Sequence, residues 1–219
     1  PALGLRGVRL SLARRALLET QLRALLRASG YGPLRVLVPM VTSREEIREV
    51  RSQLKRIARE LRIQGHEIAE HVPLGAMIEV PAAALALPSF IGSVDFLSIG
   101  TNDLVQYLLA ADRNNEALAH LYTPLHPAVL RLLRDVIRLS RLRQKPIAVC
   151  GEMAARPDLA FALLALGVDS LSVTPRVIPE LKQQLARVAL EPLRASIDRL
   201  LAASSMAEAE DLLRRYVRD

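Results

Sequence analysis

The stretch VDFLSIGTNDLVQY, Val94–Tyr107, changes character at its centre. Residues 94–100 form a short, mostly apolar run, and Gly100, Thr101, Asn102 and Asp103 follow at once. From Leu104 the spacing is helical. A strand that passes directly into a helix through a polar turn is the signature of an α/β chain. Four more short apolar runs repeat the pattern: LRVLVPM (34–40), LGAMIEV (74–80), PIAVCG (146–151) and DSLSV (169–173). Most are continuous rather than alternating, which suits strands covered on both faces in a parallel sheet. LGLRGVRL (3–10) is read as a sixth strand.

Helical patterns fill the gaps. Residues 11–29 carry Leu12, Ala16, Leu18, Leu22, Leu25 and Leu26 at helical spacing. Ser43 with Glu46 three residues on is a capping-box pattern, and that helix should run to about Gln64 and stop at Gly65. Pro127 and Pro157 stand where first-turn prolines belong, and Gly167 where a helix should end. The tail from about Leu190 reads as one or two amphipathic helices. With no hairpin signal, internal repeat or Pro/Gly-rich linker, residues 1–219 are expected to form one domain, either a parallel sheet or part of a (β/α)8 barrel.

Composition narrows the classes of function. Hydrophobic residues make up 51% of the 219, enough for a core, and aromatics only 3%. No apolar run approaches the ~20 residues of a membrane span. The N-terminal PALGLRGVRL has neither a signal-peptide core nor an initiating Met, so the chain is expected to be a piece of a longer protein. A single cysteine excludes an internal disulfide framework and a thiolate zinc cluster, and a reducing cytoplasm fits. The net charge of +7 comes from Arg apart from Lys55, Lys145 and Lys182. These cations are scattered over the amphipathic segments, with no compact basic run interleaved with aromatics. Nucleic acid is therefore not the expected partner; an anionic small substrate is served as well by the same charge.

The polar residues that interrupt this pattern follow strands. Glu79 closes an otherwise apolar run, Asn102 and Asp103 follow the next, and Cys150 and Glu152 stand at the end of a third. In α/β barrels and open α/β sheets, such carboxyl ends build the active site. Either carboxylate alone could cap a helix or pair with a surface Arg. That both follow β runs favours metal, and two hard oxygen ligands completed by substrate and water suit Mg2+. Arg113 lies in the loop after the Asp103 helix, and Arg6 in a Gly-flanked segment. For Cys150 the residues alone leave packing, nucleophile and ligand open. His66, His71, His120 and His126 have no metal spacing.

Taken together, PALGLRGVRL, QLRALLRAS, VLVPMVTSREEI, GAMIEVPAA, VDFLSIGTNDLVQYLLAADRNN, HPAVL and CGEMA resemble the C-terminal, phosphoenolpyruvate-binding domain of Enzyme I, the phosphoenolpyruvate–protein phosphotransferase that begins the bacterial sugar phosphotransferase system. EVP and DRNN stand closer to its nitrogen-related paralogue. The resemblance implies an N-terminally truncated (β/α)8 barrel with about six of its eight strands, and C-terminal helices. It implies Mg2+-dependent transfer of phosphate from phosphoenolpyruvate to a histidine of a separate N-terminal domain, release of pyruvate, and onward transfer to a histidine-containing phosphocarrier protein. A homodimer is implied for the full-length protein.

Carried over residue by residue, Glu79 and Asp103 match the Mg2+ ligands, and Asn102, Arg113 and Arg6 match substrate-binding groups. Cys150 matches the acid that protonates the enolate carbon. None of the four histidines lies in the acceptor's motif, and the first barrel strands precede Pro1, so the segment is expected to lack turnover alone. After CGEMA the family usually continues Gly-Asp; here Ala155-Arg156 stands there, which puts the geometry of that turn in question. The alternatives are the related dikinase or synthase barrels, or a non-catalytic phosphoenolpyruvate-sensing or dimerisation module.

Overall fold

The computed structural model describes residues 2–217. It is an α/β fold whose five strands form a parallel sheet in chain order, and it divides into two compact units, Pro1–Ser98 and Ile99–Asp219. The first unit runs α1 (Gly7–Ala13), α2 (Arg15–Ala28), β1 (Val36–Val38), α3 (Arg44–Ile63), β2 (Leu74–Ile78) and α4 (Pro81–Phe90). The boundary falls inside β3 (Phe96–Gly100). The second unit continues with α5 (Thr101–Leu109), α6 (Pro127–Leu142), β4 (Ile147–Cys150), α7 (Glu152–Ala155), α8 (Pro157–Leu166) and β5 (Ser170–Ser172), then α9 (Ile178–Leu185), α10 (Leu190–Ala202) and α11 (Met206–Val217).

Five of the expected strands form; the sixth does not. Residues 3–10 enter a turn and then α1. Leu3 is 81% and Leu5 61% exposed, whereas Val8 is buried on α1. Gly7 takes φ +55°, which ends any extended run, and the Val8 N–H donates to the Pro39 carbonyl at 3.1 Å. The single helix expected over 11–29 is two helices, broken at Arg14 (φ −115°, ψ 66°).

In the first unit, α3 shows how the sequence makes its own boundary. The Glu46 N–H bonds the Ser43 hydroxyl, and the Glu46 carboxylate takes the backbone N–H groups of Thr42 (2.6 Å) and Ser43 (2.9 Å). These groups replace the partners that a helix start lacks. Ile47, Val50, Leu54, Ile57 and Leu61 then recur every three or four residues and are buried. Each such side chain contributes roughly 1.5–3 kcal/mol on burial. On the exposed side, α2 and α3 are joined by a closed ring of ion pairs: Glu19 and Glu60 each pair with both Arg23 and Arg56.

One device begins strands in both units. Asp95, just before β3, donates its N–H to the Leu74 carbonyl at 2.8 Å, and its Oδ2 accepts the Leu74 N–H at 2.8 Å. Asp169, just before β5, does the same with Ile147, at 3.0 and 2.8 Å. In each case the aspartate clamps the first residue of the preceding strand.

In the second unit, α5 ends at Ala110, which takes φ +51°. α6 starts with Pro127 in its first turn, after His126 accepts the Ala128 N–H on Nδ1 at 3.1 Å. α8 ends at Gly167 as the sequence implied. β4 and β5 pair in parallel, with Cys150 opposite Ser172. Among the described residues no helix is long and apolar enough to cross a membrane.

Candidate active site

The candidate residues read at strand ends lie there: Glu79 after β2, Asn102 and Asp103 at the start of α5 after β3, and Cys150 as the last residue of β4. In the first unit, Glu79 follows β2 directly and is only 7% exposed. Its Oε1 accepts the backbone N–H of Met40 at 2.6 Å, a charge-assisted bond that ties the end of β2 to the end of β1. Met40 takes φ +56°, uncommon for a residue with a side chain. It also lies against Gly7: a Cβ on Gly7 would come 2.7 Å from the Met40 Cβ. Arg6, half-buried and extended (φ −144°), precedes that glycine.

In the second unit the two segments IGTND (99–103) and CGEM (150–153) interlock. The Thr101 hydroxyl donates to the Cys150 carbonyl at 2.8 Å, and the Cys150 thiol donates to the Ile99 carbonyl at 3.4 Å. Asn102 Oδ1 accepts the Glu152 N–H at 2.8 Å, and Asn102 Nδ2 donates to Glu152 Oε1 at 3.4 Å. Gly151 makes this approach possible. It takes φ +101°, and a Cβ there would fall 2.5 Å from Thr101 Oγ1 and 2.6 Å from Asn102 Oδ1.

Asp103, third residue of α5, is 6% exposed and lies 3.9 Å from Arg113 Nη2. The helix begins at Thr101 behind Gly100, so Asp103 sits inside its first turn rather than at its cap. The Arg113 backbone N–H is held by Gln106 Oε1 at 3.1 Å. From the far side of the same loop, the Tyr122 hydroxyl donates to the Asn102 carbonyl at 3.2 Å. Burial pushes the Tyr122 phenol upward, and the charges of Glu152 and Asp103 add to this while Arg113 opposes it.

In the second unit Thr101 and Asn102 therefore bond the Cys150–Glu152 segment and Asp103 lies beside Arg113, while in the first Glu79 bonds Met40, which lies against Gly7, the residue after Arg6. Sequence reading placed Thr101 and Glu152 at strand ends without a role and missed Met40, Gln106 and Tyr122. Only the Gly after Cys150 hinted that another segment approaches this closely. Among the described residues no group of three or more His, Cys, Asp or Glu could hold a metal by itself. Glu79 in the first unit and Asp103 in the second are each buried carboxylates.

The chain matches the family described as "PEP-utilising enzyme, PEP-binding domain" over residues 1–190. It is 45% identical over its whole length to the phosphoenolpyruvate-protein phosphotransferase of Cupriavidus necator, of which it covers 37%. The proteins of that name from Haemophilus influenzae and Staphylococcus aureus are 40% and 39% identical, over 99% and 100% of this chain and 38% of their own length. The chain thus spans well under half the length of these curated relatives. Among solved structures it is similar in fold to a citrate lyase from Burkholderia xenovorans LB400. The TM-score is 0.57 and the identity 20%, over 90% of this chain and 67% of that one.

Proposed function

Since the chain belongs to the PEP-utilising enzyme, PEP-binding domain family, we propose that it is the substrate-binding and proton-donating part of a phosphoenolpyruvate–protein phosphotransferase. The observation that carries this is the place of Cys150. It closes β4, its sulfur lies 3.4 Å from the Ile99 carbonyl, and its own carbonyl accepts the Thr101 hydroxyl, next to Asn102 and Asp103. A protonated thiol so placed can act as a general acid toward carbon.

The proposed reaction moves the phosphoryl group of phosphoenolpyruvate to a histidine of another domain. The ester O–P bond breaks and its electron pair stays on oxygen as an enolate. The enolate carbon then takes the Cys150 proton, giving pyruvate and a thiolate that solvent reprotonates. Arg6, Arg113 and Asn102 are assigned to the anionic oxygens of the substrate, where cations and N–H donors do most of the work of phosphoryl transfer. Glu79 and Asp103 are proposed as ligands of Mg2+, each on its own surroundings. The ion, when bound, would neutralise charge on the phosphate and carboxylate oxygens.

The same reading extends the five parallel strands to a (β/α)8 barrel of the phosphoenolpyruvate-utilising type. It makes the full-length protein a cytoplasmic homodimer that hands phosphate to a histidine-containing carrier protein.

The test is kinetic and uses the protein in its full reading frame. Cys150→Ala should bind phosphoenolpyruvate normally by calorimetry while pyruvate formation falls about 10²–10⁴-fold, the usual range for removing a general acid. Glu79→Ala and Asp103→Ala should each lose Mg2+-dependent binding. Undiminished pyruvate formation by Cys150→Ala refutes the acid, and wild-type binding indifferent to Mg2+ refutes the ligands.

A further inference from the structure

Asn102 is the one neutral side chain assigned to the substrate, and its usefulness depends on which way its amide faces. An amide oxygen turned to an anion repels it, whereas an amide nitrogen donates to it. Two groups of Glu152 settle this. Its backbone N–H points at Asn102 at 2.8 Å and requires an acceptor there. Its carboxylate Oε1 lies 3.4 Å from the other amide atom and requires a donor there. Turning the amide over would set N–H against N–H and oxygen against carboxylate at once. Both contacts demand the same orientation, and each amide hydrogen is a separate donor. With one N–H of Nδ2 directed to Glu152, the amide has a second N–H to offer.

We propose that Glu152 is a positioning residue that locks the Asn102 amide so that it offers an N–H, not an oxygen, to the anionic substrate. The inference rests on the substrate assignment above and adds to it a residue which that assignment leaves idle. Two further features support it. Gly151 is the only residue type that lets the Glu152 N–H come so close, because a Cβ would strike Asn102 Oδ1. The Asn102 main chain is braced separately, through its carbonyl, by Tyr122, so the backbone is not what the Glu152 side chain holds.

The sign of the effect separates this role from plain electrostatics. Glu152 is an exposed negative charge close to groups meant for an anion. If charge were all that mattered, removing it would tighten binding. If it holds the amide, removing it weakens binding, and a neutral side chain that still offers an oxygen keeps most of the function.

The experiment uses the full-length protein with phosphoenolpyruvate as the probe, measuring binding by calorimetry with Mg2+ present and pyruvate formation by steady-state kinetics. Glu152→Ala should raise Kd and KM about ten-fold, as expected for losing a hydrogen bond to a charged partner, with kcat within about three-fold. Glu152→Gln should stay within about three-fold of wild type in both. In an Asn102→Ala background, Glu152→Ala should have no further effect, because a residue acting only through Asn102 has nothing left to act on. Tighter or unchanged binding in Glu152→Ala overturns the proposal. So does Glu152→Gln behaving like Glu152→Ala, or an effect that persists without Asn102. Wild-type protein that does not bind phosphoenolpyruvate overturns the substrate assignment and this inference with it. Wild type that binds, alongside a silent Glu152→Ala, overturns this inference alone.

Discussion

Asp95 and Asp169 occupy matching places in the two units. Each precedes a strand and holds the first residue of the strand before it through the same reciprocal pair of bonds, to Leu74 in one case and to Ile147 in the other. The opposite, carboxyl ends of those strands have nothing in common. β2 ends in a buried carboxylate that reaches a backbone N–H, whereas β4 ends in a thiol and a glycine that let two side chains interlock. A shared device at one end and divergent chemistry at the other imply a division of labour. The amino ends hold the sheet together, and the carboxyl ends are free to differ.

The comparison breaks first at the aspartates themselves. Asp95→Ala leaves the Leu74 N–H and Arg51 Nη2, 3.0 Å from Oδ2, without that acceptor, while Arg51 Nε keeps the Ser93 carbonyl. It should cost about 2–3 kcal/mol of unfolding free energy, and Asp169→Ala about 1–2 kcal/mol, since only a backbone N–H is known to be orphaned there. Denaturant unfolding measures both. The folded variants should keep their affinity for phosphoenolpyruvate; a lost affinity at native stability would refute the division of labour.

Acid sharpens the contrast. Burial pushes the Asp95 carboxyl up, but the Leu74 N–H and Arg51 outweigh it and hold the group below its ordinary value, with His71 adding a little. A depressed carboxyl gives stability that is complete above the unfolded value near ~4 and disappears as pH falls through the folded one. Asp95→Asn should therefore flatten the acid end of the stability curve.

A smaller effect tests whether every carboxyl end serves chemistry. After β1, the polar residues Thr42 and Ser43 are consumed in capping α3 through Glu46. Ser43→Ala should cost about 1 kcal/mol and leave substrate affinity alone. Weakened binding would move this cap into the site.

This cap was legible in the sequence, because Ser43 and Glu46 are local partners at a fixed spacing. So were Pro127, Pro157 and Gly167, whose roles follow from their own backbone restrictions. The positions of Glu79, Asp103 and Cys150 at strand ends were legible from where apolar runs stop. What stayed hidden depends on partners far along the chain. Asp95 and Asp169 fell inside runs read as strands, 94–100 and 169–173, and their role shows only once Leu74 and Ile147 are placed beside them. Tyr122 and Gln106 hold the Arg113 loop through single bonds that no spacing announces. The misread segment 3–10 shows the limit of periodicity. Leu3, Leu5, Val8 and Leu10 suggest a strand, but a pattern does not say whether the leucines will find a face to cover, and here Leu3 and Leu5 do not.

The smallest expected effect lies far from any strand end, in the ring of Glu19, Arg23, Arg56 and Glu60. Each carboxylate meets both guanidinium groups, at 3.1 and 2.9 Å for Glu19 and at 2.7 and 2.5 Å for Glu60. The counterpart pairs on the second unit's helices, Arg194–Glu191 and Arg214–Glu210, are single contacts within one turn. A ring that joins two helices fixes four long side chains at once, which favours it over isolated exposed pairs, but water screens all of it. Bonds from Arg56 and Arg23 lower the Glu19 carboxyl, and the same arginines lower Glu60. Their contribution is thus present above a carboxylate's ordinary value of ~4 and is lost as pH falls through the lowered one. Glu19→Gln should lower Tm slightly more than Glu191→Gln at low salt and neutral pH. Both differences should vanish in about 1 M salt, where the screening length is near 3 Å, and the Glu19 difference should also vanish in acid. A Glu19→Gln deficit that survives both salt and acid would mean that the ring works by packing α2 against α3 rather than by charge.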